Sequence, residues 1–592
     1  MKYECYLATT AQDYLWQTDE KIVFLGDWCL LHTRRSLWKG IDGQVMINCF
    51  SEDESSHEAY GYVREVYESV LPQLAEVLNS VHGTDFSLRY WRILLGPWLQ
   101  SYLTATYDRY RHIEHALSEF PRLTTTVLSE DSFETPSDTL SYVTNLFEDS
   151  FNLQIYSKIF RFFGKDFPKV SINCQESSLY NKLARISWKH KAVNAFSKLY
   201  MRVLSKYSSV VFRSTYFPFS SEIAFLRVFM GRVALMKVKS ESKVGVEYNS
   251  NIRENIKKVS FGEDDFLKCL SEMLFADIPK CFVEDYQAIG KEGVRGYPNS
   301  AKVIFSANSW YYDEVFKSWS AKRAEKGALL LGTPHGGGYG AEFDIFGEEH
   351  EVSIVDYYYS WGWSKEGHAA KVIPMPASKL MNIEECGASN VKEGILWVAT
   401  VGPRYLIEFN DVPRLFPAYM SWQKRFLEAV PHVLLSEVLL RAHYQDNGWG
   451  LVSRLKEVEP SLKVDSWSVP FRKRLDQCRL YVCDHLSTTF IEALAANKPT
   501  ILFWDPDANK LRSEAEPYFE LLRKVGVLFD NPESASEAVS HAYADVELWW
   551  NDDRQKAVKE FCSQFARTSP DAIKLWEEEI RRVILESEKR RI

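Results

Sequence analysis

No uncharged apolar run in this sequence reaches the roughly 18 residues that a bilayer-spanning helix needs. The opening stretch, MKYECYLATTAQDYLWQTDEK, carries acidic side chains where a secretory leader would carry an apolar core. The chain is therefore expected to be cytoplasmic. Paired cysteines are also missing. The 10 cysteines (Cys5, Cys29, Cys49, Cys174, Cys269, Cys281, Cys386, Cys478, Cys483 and Cys562) are scattered, with no CxxC pair and no Cys/His cluster at zinc spacing. They read as reduced, mostly buried thiols. Positive charge is short: 71 basic against 80 acidic side chains leave a net charge of −9 and no broad cationic footprint, so nucleic acid is not an expected partner. Internal repeats, a P-loop and the GxGxxG fingerprint are absent. No DxD-like metal motif stands out, since Asp552-Asp553 falls in a polar helical context, and no metal or other cofactor is expected.

What is present is ample core material. With 592 residues and 46% apolar side chains, the chain exceeds one simple core, because domains run to roughly 100 to 200 residues, and two or three are expected. KIVFLGDWCLL (Lys21 to Leu31) fits a buried strand ending at a loop. Residues from about Ser56 to Leu199 look helical, with aromatics at three-to-four spacing. After a strand at Ser208 to Arg213, the pattern turns to clean α/β near residue 300: Val303 to Asn308, a helix over Asp313 to Lys326, Ala328 to Gly332, a glycine-rich loop, then Ser353 to Gly362. IPMPASK (Ile373 to Lys379) reads as the domain link. Strands follow at Gly394 to Gly402, Ser436 to His443, Arg479 to Asp484, Pro499 to Asp505 and Val525 to Asp530, a doubly wound pattern whose ligands bind beyond strand C-termini.

Three loops carry candidate chemistry. In RLYVCDHLSTTFIEALAANKPTILFWDP (Arg479 to Pro506) a strand runs out at Asp484, then His485, Ser487, Thr488 and Thr489 lead into a helix whose free amides can hold a phosphate. A capping box between Thr489 and Glu492 explains the same spacing equally well. In LLRAHYQDNGWG (Leu439 to Gly450), Arg441 can fork onto a phosphate and His443 can donate to it; an ion-paired strand end is the alternative. In LLLGTPHGGGYG (Leu329 to Gly340), Gly336, Gly337 and Gly338 allow close backbone approach, and His335 suits removal of a proton from a hydroxyl; the alternative is a tight turn with a spectator histidine. Asp27, at another strand end, is a second acid/base candidate, while Trp28, Trp91 and Trp98 read as core or cleft-wall aromatics.

The segment Arg479 to Pro506 resembles the nucleotide-sugar half of GT-B glycosyltransferases, which implies that its loop holds donor phosphates and that Glu492 lies near the sugar or ribose. Arg441-x-His443 resembles the R-x-H-P motif of CMP-sugar transferases (Kdo and sialyl types) and CDP-glycerol polymerases, with Tyr444 where that motif has proline, and HGGG resembles the H-G-T loop of CDP-glycerol transferases. Together with LATTAQDYLW (Leu7 to Trp16), FLGDWCLL (Phe24 to Leu31), YWRILLGPWL (Tyr90 to Leu99) and YDRY (Tyr107 to Tyr110), these blocks resemble, over nearly the whole chain, a family of transferases encoded in O-antigen and related surface-glycan loci.

The expected fold is thus α/β and GT-B-like, with two facing Rossmann-type doubly wound domains. Residues 1–375 would form the acceptor-side domain with a helical insert at about 56–200, residues 376–560 the donor-binding domain, and residues 561–592 a C-terminal helix that crosses back. The resemblance implies a nucleotide-sugar donor, foremost a CMP-activated acidic sugar, and a glycan or lipid-linked glycan acceptor. His335 would act as base, and Arg441, His443, His485, Ser487, Thr488, Thr489 and Glu492 would hold the donor. A CDP-glycerol-type polyol-phosphate transferase and an inactive glycan-assembly scaffold are the rivals. The basic end from Arg581 to Ile592 offers either peripheral contact with anionic membrane headgroups or an ordinary solvated face.

Overall fold

The computed structural model describes residues 3–17, 19, 21–50, 53–172, 208–236, 247–256, 259–343, 345–389, 391–409 and 416–590. Residues 173–199 of the expected helical stretch, Cys174, and the last two residues of the basic end lie outside them.

Three parallel sheets organise the chain. The first contains β1 (Cys5–Ala8), β2 (Ile22–Phe24), β3 (Gly43–Val45) and β4 (Leu123–Thr124) in the order β3-β2-β1-β4. A two-stranded ribbon, β5 (Val127–Leu128) with β6 (Lys169–Val170), follows. The second sheet is β12-β11-β10-β9-β7-β8, from β7 (Val210–Arg213), β8 (Val233–Leu235), β9 (Val303–Ser306), β10 (Leu329–Gly332), β11 (Tyr357–Ser360) and β12 (Lys371–Pro374). The third is β15-β14-β13-β16-β17-β18, from β13 (Ile395–Val398), β14 (Val438–Arg441), β15 (Lys463–Val464), β16 (Leu480–Cys483), β17 (Thr500–Phe503) and β18 (Leu528–Phe529). Central strands such as LLLG, ILWV, LYVC and TILF are buried at every position, which is why they read as unbroken apolar runs: helices cover both faces of a parallel sheet.

Two expectations change. The stretch 1–375 holds two separate parallel sheets instead of one Rossmann-type sheet with an insert. Its long helices, Asp53–His82 and Leu88–Glu119, are not an appendage either. Leu88–Glu119 is buried along most of its length; its Arg109 is fully buried and donates to Asn152 and to the carbonyl of Leu406, far along the chain. The second change is local: Ser353 and Ile354, read as the start of a strand, end a helix, Phe346–Ile354, and the strand begins at Tyr357.

The link between the second and third sheets follows β12, and the chain later returns. The helix Asp552–Phe565 packs beside the third sheet's helices Thr488–Ala495 and Glu516–Lys524, whereas Ala572–Lys589 lays Trp576, Ile580, Val583 and Ile584 against Phe305, Leu331 and Tyr359 of the second sheet. Near the end of this helix, Arg582 pairs with Glu579 and Glu586, and Arg590 with Glu586 and Asp356. Among the described residues no helix is long and apolar enough to cross a membrane.

Candidate functional site

Each six-stranded sheet reverses its winding once, and ligands of such sheets sit beyond the strand C-termini at that point. In the third sheet the reversal lies between β13 and β16, so Asp484 to Thr488 stand at its mouth. In the second it lies between β7 and β9, next to the loop after β10 that carries His335.

These two mouths meet. The amide of Gly337 donates to Thr488 Oγ1 at 2.9 Å, and a Cβ on Gly337 would fall 2.4 Å from the Ser487 carbonyl oxygen, so only glycine permits this approach. Gly336 also faces Thr488 Oγ1, and Gly338 turns the loop at φ +89°. Phe343 bonds the Lys510 carbonyl at 3.1 Å and Arg512 pairs with Glu348, which extends the seam between the two halves.

His335 is backed by a cluster that the sequence did not single out. Its Nδ1 meets the Tyr339 hydroxyl at 2.9 Å and lies 3.5 Å from Glu351 Oε1. Glu351 is fully buried and accepts from Tyr311 at 2.9 Å, Tyr339 at 3.2 Å and Tyr358 at 2.9 Å. Burial raises its carboxyl above the usual range, and the His335 ring and the phenols work against that rise. The tautomer consistent with Tyr339 donating to Glu351 carries its proton on Nδ1, which leaves Nε2 as the ring nitrogen that can accept one. The sequence carries no signal for this cluster: Glu348 and Glu351 sit one helical turn apart in an acidic run that reads as solvated, and only the structure buries both.

At the other mouth, Ser487 is the N-cap of the helix Thr488–Ala495 and its side chain makes no cap bond. The capping box considered for Thr489 and Glu492 does not form: the Thr489 hydroxyl bonds Ser487 Oγ at 2.7 Å and Tyr481 at 3.0 Å, and Glu492 pairs with Lys379 at 3.2 Å. His485 Nδ1 lies 2.9 Å from Asp484 Oδ1, and Asp484 also accepts from Trp397 and Tyr419. Burial opposes charge on the His485 ring, yet the Cys483 sulfur and the Asp484 carboxylate outweigh it and raise the ring to about 10.

Arg441 does not stand free for a phosphate. The residue is 4% exposed, and its guanidinium is paired with Asp465, bonded to the Val469 carbonyl and stacked 3.9 Å above Trp467. The ion-paired alternative describes it. His443 is half-buried with Nδ1 beside the Gln445 carbonyl at 3.1 Å. Asp27 is exposed, and desolvation raises its carboxyl while the Arg454 guanidinium lowers it. It stands where the first sheet meets the third: the neighbouring Trp28 carbonyl accepts from Arg404 at 2.7 Å. No contact among the described residues joins Asp27 to the His335 cluster. Trp28, Trp91 and Trp98 are buried, as core residues are. Among the described residues no three His, Cys, Asp or Glu side chains converge as a metal site requires.

A sequence profile of the LIC12162 family transferases matches residues 5–580. The chain belongs to that family. This transferase has no match among functionally curated sequences. Solved structures that align with this chain include Acinetobacter baumannii MurG, at 11% identity and TM-score 0.30 over 61% of this chain and 88% of that one. The wall teichoic acid polymerase TagF matches at 9% identity and TM-score 0.29, over 68% of this chain and 96% of that one. Spinosyn forosaminyltransferase SpnP matches at 13% identity and TM-score 0.30, over 64% and 99%. Likenesses of that size carry no argument about chemistry. The GT-B-like α/β fold of the transferase rests on its own two facing parallel sheets and the helix that crosses back between them.

Proposed function

We propose that this transferase moves a sugar from a nucleotide-activated donor to a hydroxyl of a surface-glycan acceptor, glycan or lipid-linked, held in the cleft between its second and third sheets. The observation that carries the reading is the meeting of two chemically different loops: a histidine with a buried carboxylate behind it on one side, and an uncapped helix start on the other. In the proposed step the acceptor oxygen attacks the anomeric carbon, and its proton passes to His335 Nε2. The bond from that carbon to the phosphate oxygen breaks, and the nucleotide leaves with the electron pair. Amides at the start of Thr488–Ala495, the Ser487 and Thr489 hydroxyls and His443 would receive the developing charge, with no divalent ion required. Thr488 joins the two loops and Glu351 acts as a positioning residue.

A CMP-activated acidic sugar is the proposed donor, because a monophosphate leaving group asks for less positive charge than a diphosphate and suits a site of hydroxyls, imidazole and helix amides. Isothermal titration with CMP, CDP, UDP and GDP in EDTA tests this directly. Tightest binding of CMP, unaffected by the chelator, is expected. Tighter UDP binding, or binding lost with EDTA, overturns the donor assignment, and preference for CDP points to polyol-phosphate transfer.

A further inference from the structure

No arginine is free to serve the proposed donor site, because those near its strand ends are committed elsewhere. Arg441 is paired with Asp465, Arg213 with Asp313 at 2.7 Å, Arg404 with Asp149 at 2.7 Å and Arg512 with Glu348 at 2.5 Å, and each of these guanidiniums is at most about one-tenth exposed. Lys379 differs. It lies in the link between the two sheets, in a short turn, Ser378–Leu380, with Nζ 3.2 Å from Glu492 Oε1 and 5.8 Å above the Tyr216 ring. It therefore touches both walls of the cleft: Tyr216 belongs to the loop after β7, and Glu492 to the helix whose start faces Gly337. The pair is partly open, with side-chain exposures of 29% and 19%. Beside it the Ser378 hydroxyl is fully buried without a hydrogen-bond partner, and Tyr216 holds a left-handed φ of +60°, a conformation that costs energy in a non-glycine residue.

Resting on the nucleotide-sugar reading above, we propose that Lys379 is the cation that binds the donor's phosphate, and that Glu492 holds its ammonium at the cleft until the phosphate takes the carboxylate's place. The phosphodiester of a CMP-sugar matches the carboxylate's single charge and gains more as the nucleotide leaves, so the ammonium binds the departing phosphate better than it binds Glu492, whose carboxylate stays partly open to solvent. Glu492 would then act through Lys379 instead of through the sugar.

The test titrates whichever of CMP, CDP, UDP and GDP the wild type binds most tightly into Lys379→Met, Lys379→Arg and Glu492→Gln. Expected are about tenfold or greater weakening in Lys379→Met, affinity largely retained in Lys379→Arg, and equal or tighter binding in Glu492→Gln, with a steeper salt dependence in the wild type than in Lys379→Met. Lys379→Arg keeps the ion pair and so separates lost charge from lost folding. Wild-type affinity in Lys379→Met overturns the assignment while leaving the nucleotide reading intact, and strong weakening in Glu492→Gln overturns Glu492 as a holding group. A wild type that binds none of the four nucleotides overturns the nucleotide-sugar reading itself, and this proposal with it.

Discussion

At the scale of single residues, His335 and Glu351 make the sharpest statements. If Nε2 is the base and Glu351 fixes the ring, Glu351→Gln keeps most hydrogen bonds but removes the charge that favours the imidazolium formed during transfer. Turnover should fall by about 10²-fold with KM little changed, and the acidic limb of the pH–rate profile should move; His335→Ala should lose at least as much without losing nucleotide affinity. An unchanged pH profile in Glu351→Gln would make the carboxylate a packing group only. His350, next along the helix, gives a stability prediction. Its ring is 2% exposed with both nitrogens unpartnered, and burial, reinforced by Lys317 and Arg92, lowers it to about 3. The unfolded ring takes up a proton below about pH 6.5 and the folded ring does not, so its contribution is complete above that pH and is lost as pH falls toward 3. Between pH 6 and 4 the wild type should lose up to about 1.4 kcal/mol per pH unit more than His350→Leu in denaturant unfolding. Parallel pH curves for the two proteins would contradict this.

At the scale of elements, the contact between the glycine loop and the start of Thr488–Ala495 is the joint to break. Gly337→Ala places a methyl group on the Ser487 carbonyl and must push the loops apart. A misplacement of about 1 Å at reacting groups costs on the order of 10²-fold in rate, so activity should collapse while the melting temperature changes little. A fully active Gly337→Ala protein would mean that the two loops do not work together. The same scale explains what was legible beforehand. β9, β10, β13, β16 and β17 stood out because burial on both faces makes them continuously apolar, and the loops after β10 and β16 could be placed from them. β3 is exposed at every residue and β4 has only two, so neither carries a pattern. Glu351 hid in the run Glu348-Glu349-His350-Glu351, which reads as a solvated face until the tyrosines of three other segments close over it. Arg441 misled for the opposite reason: its partner Asp465 lies 24 residues on, beyond β15, where local spacing gives no hint.

At the scale of the whole molecule, the C-terminal helix ties the chain's end to its middle. Trp576 is 1% exposed among Phe217, Phe305 and Tyr359, and its indole N–H bonds the Pro376 carbonyl at 2.9 Å, beside the link that carries Lys379. Trp576→Ala should cost about 3–5 kcal/mol in denaturant unfolding, because it removes a large buried ring from a closed cluster. Truncation before Ala572 should leave the second sheet's apolar face uncovered and the protein prone to aggregate. The central claim remains that one cleft, lined by the glycine loop and the start of Thr488–Ala495, holds the donor nucleotide. Hydrogen–deuterium exchange of the full-length protein with and without its tightest-binding nucleotide tests that claim most directly. Slowed exchange in both Thr333 to Gly338 and Asp484 to Glu492 is the expected result; protection confined to other segments, with both loops unchanged, would contradict it.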